Sequence, residues 1–525
     1  MTRSPRWSLR QRHVRRGLFL TCSLLAGAHL ASACGSDPGI ATDAGPSPIA
    51  TTTTTATTPP PVPTAPPPDA GDAGVRDAAP ADATPPPDAA PGDAGVDGGG
   101  DAAVDAGPAI PPNILLVIGD DMGTDSNVCY TVAADPGRAP RLAALCAGGV
   151  TFDNAWAAPS CSPTRATILT GRHGFRTNVG FAGHPLPPGE RALPQALTDG
   201  NPAYAVGAVG KWHLGGPLNG GANHPNLVGF PTYMGNLQGA VANYSNWTRT
   251  VNGVSAPESR YATTATVDDA SGWINAQTTP WFMWLAFNSA HSPFHTPPAG
   301  LHTYPEIIGV PPPSRPYTHY HAMLEAMDME LGRMLDGLDP AVRARTWIIF
   351  VGDNGTPPEV AQPEIPTGHA KGTLYQGGTH VPLTISGPGV VSPGRRVAAL
   401  VSTVDIFKTI LELASVDPAL ALPVGSATVD SVSMVPYLKN PSQAPLRSWI
   451  MTEQFGNTAG FGRTGKAIRD ASYKLIRFDA GDTQLYDLRV DPQEQTDLMT
   501  APLSVEAAAH EASLNLALDT LLATP

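Results

Sequence analysis

At 525 residues the chain exceeds what one hydrophobic core usually supports, so more than one structural unit is expected. Its net charge of −13 is unevenly spread: residues 1–34 carry six Arg and no acid, residues 35–112 carry eleven Asp against the lone Arg76, and residues 113–525 are left at −9. A mildly acidic folded part excludes nucleic acid as the main partner, because phosphate backbones need a basic footprint, whereas a few buried cations still suffice to hold a small anion.

Residues 1–34 read as an export signal. Arg3, Arg6, Arg10, Arg12, Arg15 and Arg16 form a basic region before the apolar run Leu18 to Leu30, which is too short and too broken by small residues to span a membrane. The Arg15-Arg16 pair resembles a twin-arginine signal, and ordinary secretion fits equally. Leu30-Ala31-Ser32-Ala33-Cys34-Gly35 resembles a bacterial lipoprotein processing site with Cys34 as the lipidated residue; plain cleavage after the Ala-Ser-Ala triplet is the alternative. The expectation is a protein of the periplasm or cell envelope that meets the membrane only through a lipid anchor. Residues 35–112 consist almost wholly of Ala, Pro, Asp, Thr and Gly, with a Thr run at 51–55. Such a stretch buries too little to offset the entropy of ordering and should be a flexible linker. Its Asp-Ala-Gly units lack the spaced ligands of a calcium loop.

Order is expected from Asn113 onward. Ile114 to Ile118, Trp281 to Phe287 and Trp347 to Val351 are short apolar runs that read as buried strands. They end in Gly119-Asp120-Asp121, Asn288-Ser289-Ala290-His291 and Gly352-Asp353-Asn354-Gly355. Leu193 to Leu197 and His321 to Leu338 carry apolar residues at helical spacing. Strands alternating with helices predict an α/β domain over residues 113–440, a mostly parallel sheet sandwiched by helices, with its site just past the strand ends. Short strand-like pieces at Ser448 to Glu453, Ala467 to Arg469, Lys474 to Phe478 and Gln484 to Leu488, then a helical run Ser504 to Leu522, predict a smaller α+β subdomain with an antiparallel sheet over 441–525. Of five cysteines, Cys22 leaves with the signal and Cys34 takes lipid; Cys129 and Cys146 either pair in an oxidising compartment or stay as two buried thiols.

The densest motif is Cys161-Ser162-Pro163-Thr164-Arg165, continued to Thr170-Gly171-Arg172. Taken alone it is a Cys, a Pro that delays the helix, and a helix opening whose Arg reaches back one turn, which suggests a thiolate of lowered pKa. The whole string resembles the signature of the formylglycine-dependent sulfatases, arylsulfatase-like members of the alkaline phosphatase superfamily. Gly210-Lys211-Trp212-His213-Leu214-Gly215, the segment from Asn288 to His295, Gly368-His369-Ala370-Lys371-Gly372 and Gln484-Leu485-Tyr486-Asp487-Leu488 with Asp491-Pro492 resemble further landmarks of that family, so the likeness runs from about 113 to 500.

The resemblance implies that Cys161 is oxidised by a formylglycine-generating enzyme and that its hydrated aldehyde attacks the sulfur of a small-molecule or glycan sulfate ester, forming a covalent sulfo-enzyme. It implies one Ca²⁺ held by Asp120, Asp121, Cys161, Asp353 and Asn354, a hard oxygen set that by its own chemistry suits Ca²⁺ or Mg²⁺ over Zn²⁺. Arg165 and Lys211 would steady the hydrate, His213 would take a proton as sulfate leaves, and His291 with Lys371 would hold the sulfate and assist the leaving alcohol. Gln376 and His380 depart from the Glu and Arg common at those places in the family. Two other readings stand beside this one: a formylglycine-dependent phosphodiesterase or phosphonate monoester hydrolase, and a tethered binding lipoprotein without turnover.

Overall fold

The computed structural model describes residues 110–422, 427–456 and 462–524; the export signal, the lipidation site and nearly all of the linker lie outside the described residues. Ten strands form the large sheet: β1 (Asn113–Gly119), β2 (Gly149–Trp156), β3 (Ala205–Gly210), β4 (Thr232–Gly235), β5 (Trp247–Val251), β6 (Val254–Glu258), β7 (Trp281–Ala286), β8 (Thr346–Gly352), β9 (Leu383–Ser386) and β10 (Arg395–Ser402). Their order is β10-β2-β9-β8-β1-β7-β3-β4-β5-β6. The middle pairs β8–β1, β1–β7 and β7–β3 are parallel, while β9 and the β5–β6 edge hairpin run antiparallel to their neighbours.

The unbroken apolar run of β1 follows from its position at the sheet centre. Ile114, Leu116 and Ile118 enter one core and Leu115 and Val117 the other, and all five are fully buried. Each such side chain contributes about 2 kcal/mol by leaving water. Truncating Leu116 to Ala would cost about 2–5 kcal/mol because helices on that face cannot collapse fully into the gap. The helix predicted from His321 begins earlier, at Pro316, and ends at Asp336. Proline suits the first turn, where its missing N–H has no helical acceptor anyway.

Register brings two strand ends together. Gly119 of β1 pairs with Gly352 of β8, and Asp353 N donates to Gly119 O at 3.0 Å, so Asp120 and Asp353 leave the sheet side by side. The segment after β7 docks on the same spot: Asp120 N donates to Ser289 O at 3.0 Å and Ala290 N to Asp120 O at 2.9 Å. At the end of β3, Gly210 has φ +98°, and a Cβ there would lie 1.8 Å from Ala286 O, so only glycine lets Lys211 follow this closely.

The second sheet is antiparallel, in the order β11 (Ile450–Gln454), β12 (Gly465–Arg469), β13 (Tyr473–Phe478) and β14 (Thr483–Asp487). One face packs Met451, Ile468 and Leu475 against Leu514 and Leu518 of the C-terminal helix Val505–Ala523, whose N-cap Ser504 Oγ accepts from Ala507 N at 3.1 Å. The other face packs Ile450, Ala467 and Ile476 against Trp156 and Leu400 of the large sheet. Gln454 at the end of β11 donates to Gly372 O at 3.0 Å, which ties this sheet to the backbone beside Lys371. Cys129 and Cys146 form a disulfide.

Candidate active site

Cys161 opens a helix, Cys161–Thr170, in which every residue is buried. Two sequence expectations are corrected here. Pro163 does not delay the helix; it sits at the third position, where a missing N–H leaves no helical bond unmade. Nor is Cys161 a thiolate: burial pushes its thiol up to about 12, and Lys211 and Lys371, which favour the anion, are opposed by Asp353 and Asp120. A neutral buried thiol is a poor nucleophile.

Arg165 likewise does not reach back to Cys161. Its Nε and Nη2 donate to Asp353 Oδ2 at 3.1 and 2.8 Å, and Nη1 donates to Lys211 O at 2.8 Å, all without solvent exposure. The residue that touches the Cys is Lys211, whose Nζ lies 3.2 Å from Sγ and 2.6 Å from Asp120 Oδ2. Asp120 holds Lys211 firmly cationic, against burial. On the other side, Lys371 Nζ pairs with Asp121 Oδ1, which also accepts from Asn354 Nδ2 at 2.9 Å.

His291 Nδ1 lies 2.8 Å from the carbonyl of Ser292, which can only accept, so in the neutral ring the proton is on Nδ1 and Nε2 is free; Nε2 stands 3.8 Å from Asp121 Oδ2. Burial pushes His291 down to about 4, with Asp121 working against it. His213 is held well below the ordinary histidine range by burial and then by Lys211, Arg165, His291 and Lys371, and its Nδ1 is buried without a partner among the described residues. Ser162 Oγ donates to His213 O at 2.8 Å, fastening this residue to the helix of Cys161. Gly239 closes over the imidazole so tightly that a Cβ would lie 2.4 Å from its Cε1.

The acidic groups make a cage. Ligand atoms of Asp120, Asp121, Asp353 and Cys161 all lie within 4.8 Å of one another, and Asn354 Oδ1 is a buried acceptor with no hydrogen-bond partner among the described residues. An orphaned buried oxygen is costly unless something electropositive faces it. Burial pushes Asp120 up to about 8 despite Lys211, with Asp353 and Asp121 adding to the rise. Burial would raise Asp121 too, yet Lys371, His291 and Lys211 hold it below the usual carboxylate range. Crowded carboxylates and one bare amide oxygen fit a hard divalent cation.

All ten residues singled out in the sequence thus converge on one place. Several supporting groups carried no sequence signal. Tyr320 OH donates to Asp121 O at 2.7 Å, Thr356 Oγ1 accepts from Gly123 N at 3.1 Å while donating to buried Asp125 at 2.7 Å, and Tyr244 OH reaches Asn288 O at 2.5 Å and His291 O at 2.7 Å. Tyrosine and threonine at such positions read as ordinary core or loop residues until the contacts are known. His295, inside the quoted His291 segment, turns away and meets Tyr261 OH at 3.0 Å.

A mostly parallel sheet gathers this cage at its strand ends, and comparison with known proteins places the chain among the sulfatases of the alkaline phosphatase superfamily. The Sulfatase family profile matches residues 112–416, and that of the N-sulphoglucosamine sulphohydrolase C-terminal region matches 369–518: the chain belongs to the sulfatase family. N-acetylgalactosamine-6-sulfatase of Homo sapiens is 28% identical over 367 residues, 62% of this chain and 66% of that protein. Arylsulfatase G of Homo sapiens is 29% identical over 435 residues, 70% of this chain and 76% of the relative. The chain thus spans just under two thirds of the length of the first of these relatives. Among solved structures, Ps i-CgsB in complex with k-i-k-neocarrahexaose superposes with a TM-score of 0.62 at 24% identity, covering 74% of this chain and 89% of that one. A protein solved in complex with its substrate D-glucosamine-2-N,6-O-disulfate gives 0.61 at 19% identity, covering 78% and 97%. These two likenesses show the shared fold.

Proposed function

We propose that this protein hydrolyses sulfate esters with a formylglycine hydrate at position 161 and one Ca²⁺. The observation that carries the reading is the buried meeting of Cys161 with Lys211 and the three carboxylates Asp120, Asp121 and Asp353. When bound, the cation would neutralise sulfuryl oxygens as they gain charge, held by Asp120, Asp121, Asp353, Asn354 and residue 161. Lys211, Arg165 and Lys371 bring three further positive charges to the same wall, so a sulfate monoanion is drawn in.

One hydroxyl of the hydrate passes its proton to a neighbouring carboxylate as its oxygen bonds to sulfur and the bond from sulfur to the alcohol oxygen breaks; the alcohol leaves with a proton from the ammonium of Lys371. The other hydroxyl gives its proton to neutral His213, the aldehyde re-forms as the bond from its carbon to the sulfate oxygen breaks, sulfate leaves, and water adds to the aldehyde to restore the hydrate. His213 suits this task because its surroundings keep it unprotonated. The names of the relatives and the disulfated sugar held by a structural neighbour support a sulfated saccharide as substrate. The basic leader and Cys34 support export and a lipid anchor in the cell envelope.

Initial rates with 4-nitrophenyl sulfate and bis(4-nitrophenyl) phosphate test the reading, using protein matured by a formylglycine-generating enzyme. Faster sulfate cleavage, abolished in Cys161→Ala, is expected. A faster phosphodiester reaction would shift the assignment to the phosphodiesterase class, and no cleavage of either would favour a binding lipoprotein.

A further inference from the structure

A cavity of about 140 Å³ lies away from the reaction site, lined by Thr124, Asn154, Gln376, His380, Arg469 and Gln493 among others, and no Asp or Glu lines it. That volume is well above the space a single water needs and takes several waters or one tetrahedral oxyanion. Arg469, the last residue of β12, is only 4% exposed. Its Nε donates to Asp470 O at 2.9 Å, Nη1 to Asn154 Oδ1 at 3.1 Å and Nη2 to Ala471 O at 3.3 Å. All three acceptors are neutral, and a guanidinium has five N–H groups, so two remain.

The nearby acids make no ion pair with Arg469: Glu494 pairs with Lys474 at 2.5 Å and accepts from the backbone N of Gln376, and Asp470 pairs with His510 at 2.5 Å. Burial lowers Arg469 to about 10, which still leaves it a cation at neutral pH. Gln376 adds a second donor. Trp156 Nε1 is donor-only and bonds Gln376 Oε1 at 2.7 Å, which fixes the amide orientation and leaves Nε2 without a partner among the described residues. A buried cation and an amide donor facing a cavity free of carboxylates select an anion.

We infer that this cavity binds a small inorganic oxyanion, of the sulfate or phosphate class, between Arg469 and Gln376. The ion sits behind the turn that braces the cage. Within that turn Gly378 O accepts from Gly355 N at 3.0 Å and His380 O from Thr124 N at 3.3 Å, next to Asn354 and close to Asp121. Filling the cavity stiffens the backbone on which the metal ligands stand.

Calorimetric titration of the full chain with sodium sulfate, and separately with sodium phosphate, at constant ionic strength tests the site. The expected result is saturable binding that persists in Lys371→Ala and weakens at least tenfold in Gln376→Glu, which installs a resident carboxylate beside Arg469. Arg469→Gln should also remove binding, and the milder Gln376→Glu decides the matter if that variant fails to fold. Tighter binding of either anion supports the site and identifies its ligand. Binding unchanged by Gln376→Glu, binding lost in Lys371→Ala, or no saturable heat with either anion overturns it.

Discussion

Asn354 offers the sharpest test of the cage, because its two side-chain atoms act in opposite directions. Nδ2 donates to Asp121 Oδ1 at 2.9 Å, whereas buried Oδ1 has no hydrogen-bond partner among the described residues. A ligand held at one hundred times its Kd adds about 2.7 kcal/mol to stability. For roughly 400 folded residues, at about 2.1 cal/mol/K per residue, that raises Tm by about 3 °C when calcium replaces chelator. Asn354→Leu removes one oxygen ligand, so a tenfold loss of affinity, about 1.4 kcal/mol, should shrink the calcium shift to about half. Asn354→Asp instead places a fourth carboxylate beside Asp120, Asp121 and Asp353 and deletes the donor to Asp121. It should melt about 3 °C below the wild type in chelator, a loss of about 3 kcal/mol typical of an uncompensated buried charge, and recover with calcium so that the shift roughly doubles. Differential scanning fluorimetry with and without calcium measures all three. Equal calcium shifts in wild type, Leu and Asp variants would refute the assignment of Oδ1 to a cation.

Three further outcomes are expected. Lys211→Met should abolish turnover and cost about 3 kcal/mol in chemical denaturation; the cost stays at the low end for a broken buried pair because Asp120, pushed up to about 8, can take a proton. Opening the Cys129–Cys146 bridge, which spans 17 residues, by a double Ser substitution should lower stability by about 3 kcal/mol, and an unchanged denaturation midpoint would show that the bridge does not form. His173 and His224 are buried and pushed down to about 4 by loss of hydration, against about 6.5 when unfolded. Between those values only the unfolded chain takes up the protons, so stability is full above pH 6.5 and falls toward pH 4, by roughly 1 kcal/mol per pH unit and histidine. Tm followed from pH 7.5 to 4.5 in wild type and His173→Asn checks this; identical slopes would contradict it.

Much of this site was legible because the chemistry sits where chain direction is easiest to read. The runs before Asp120 and Asp353 are continuous and apolar because both sheet faces are buried, and the parallel pairing of such central strands delivers their ends to one edge. The β5–β6 hairpin escaped notice for the opposite reason: β6 is almost wholly exposed at the sheet edge and carries no apolar pattern. The partner of Arg165 was misjudged because sequence spacing reports helical neighbours, while Asp353 is 188 residues away. Taken alone, a helix N-terminus beside Arg suggests a thiolate at Cys161, and sequence does not reveal that full burial pushes the thiol up instead. Arg469 carries no motif; its interest arises only from what the fold fails to place next to it.

Catalysis turns on the chemical state of residue 161. Mass spectrometry of the peptide that contains it, taken from catalytically active protein, is the most direct measurement. The expected peptide carries an aldehyde in place of the CH₂–SH group and shifts on treatment with a carbonyl-reactive hydrazide. An intact thiol at position 161 in enzyme that still cleaves sulfate esters would contradict the mechanism.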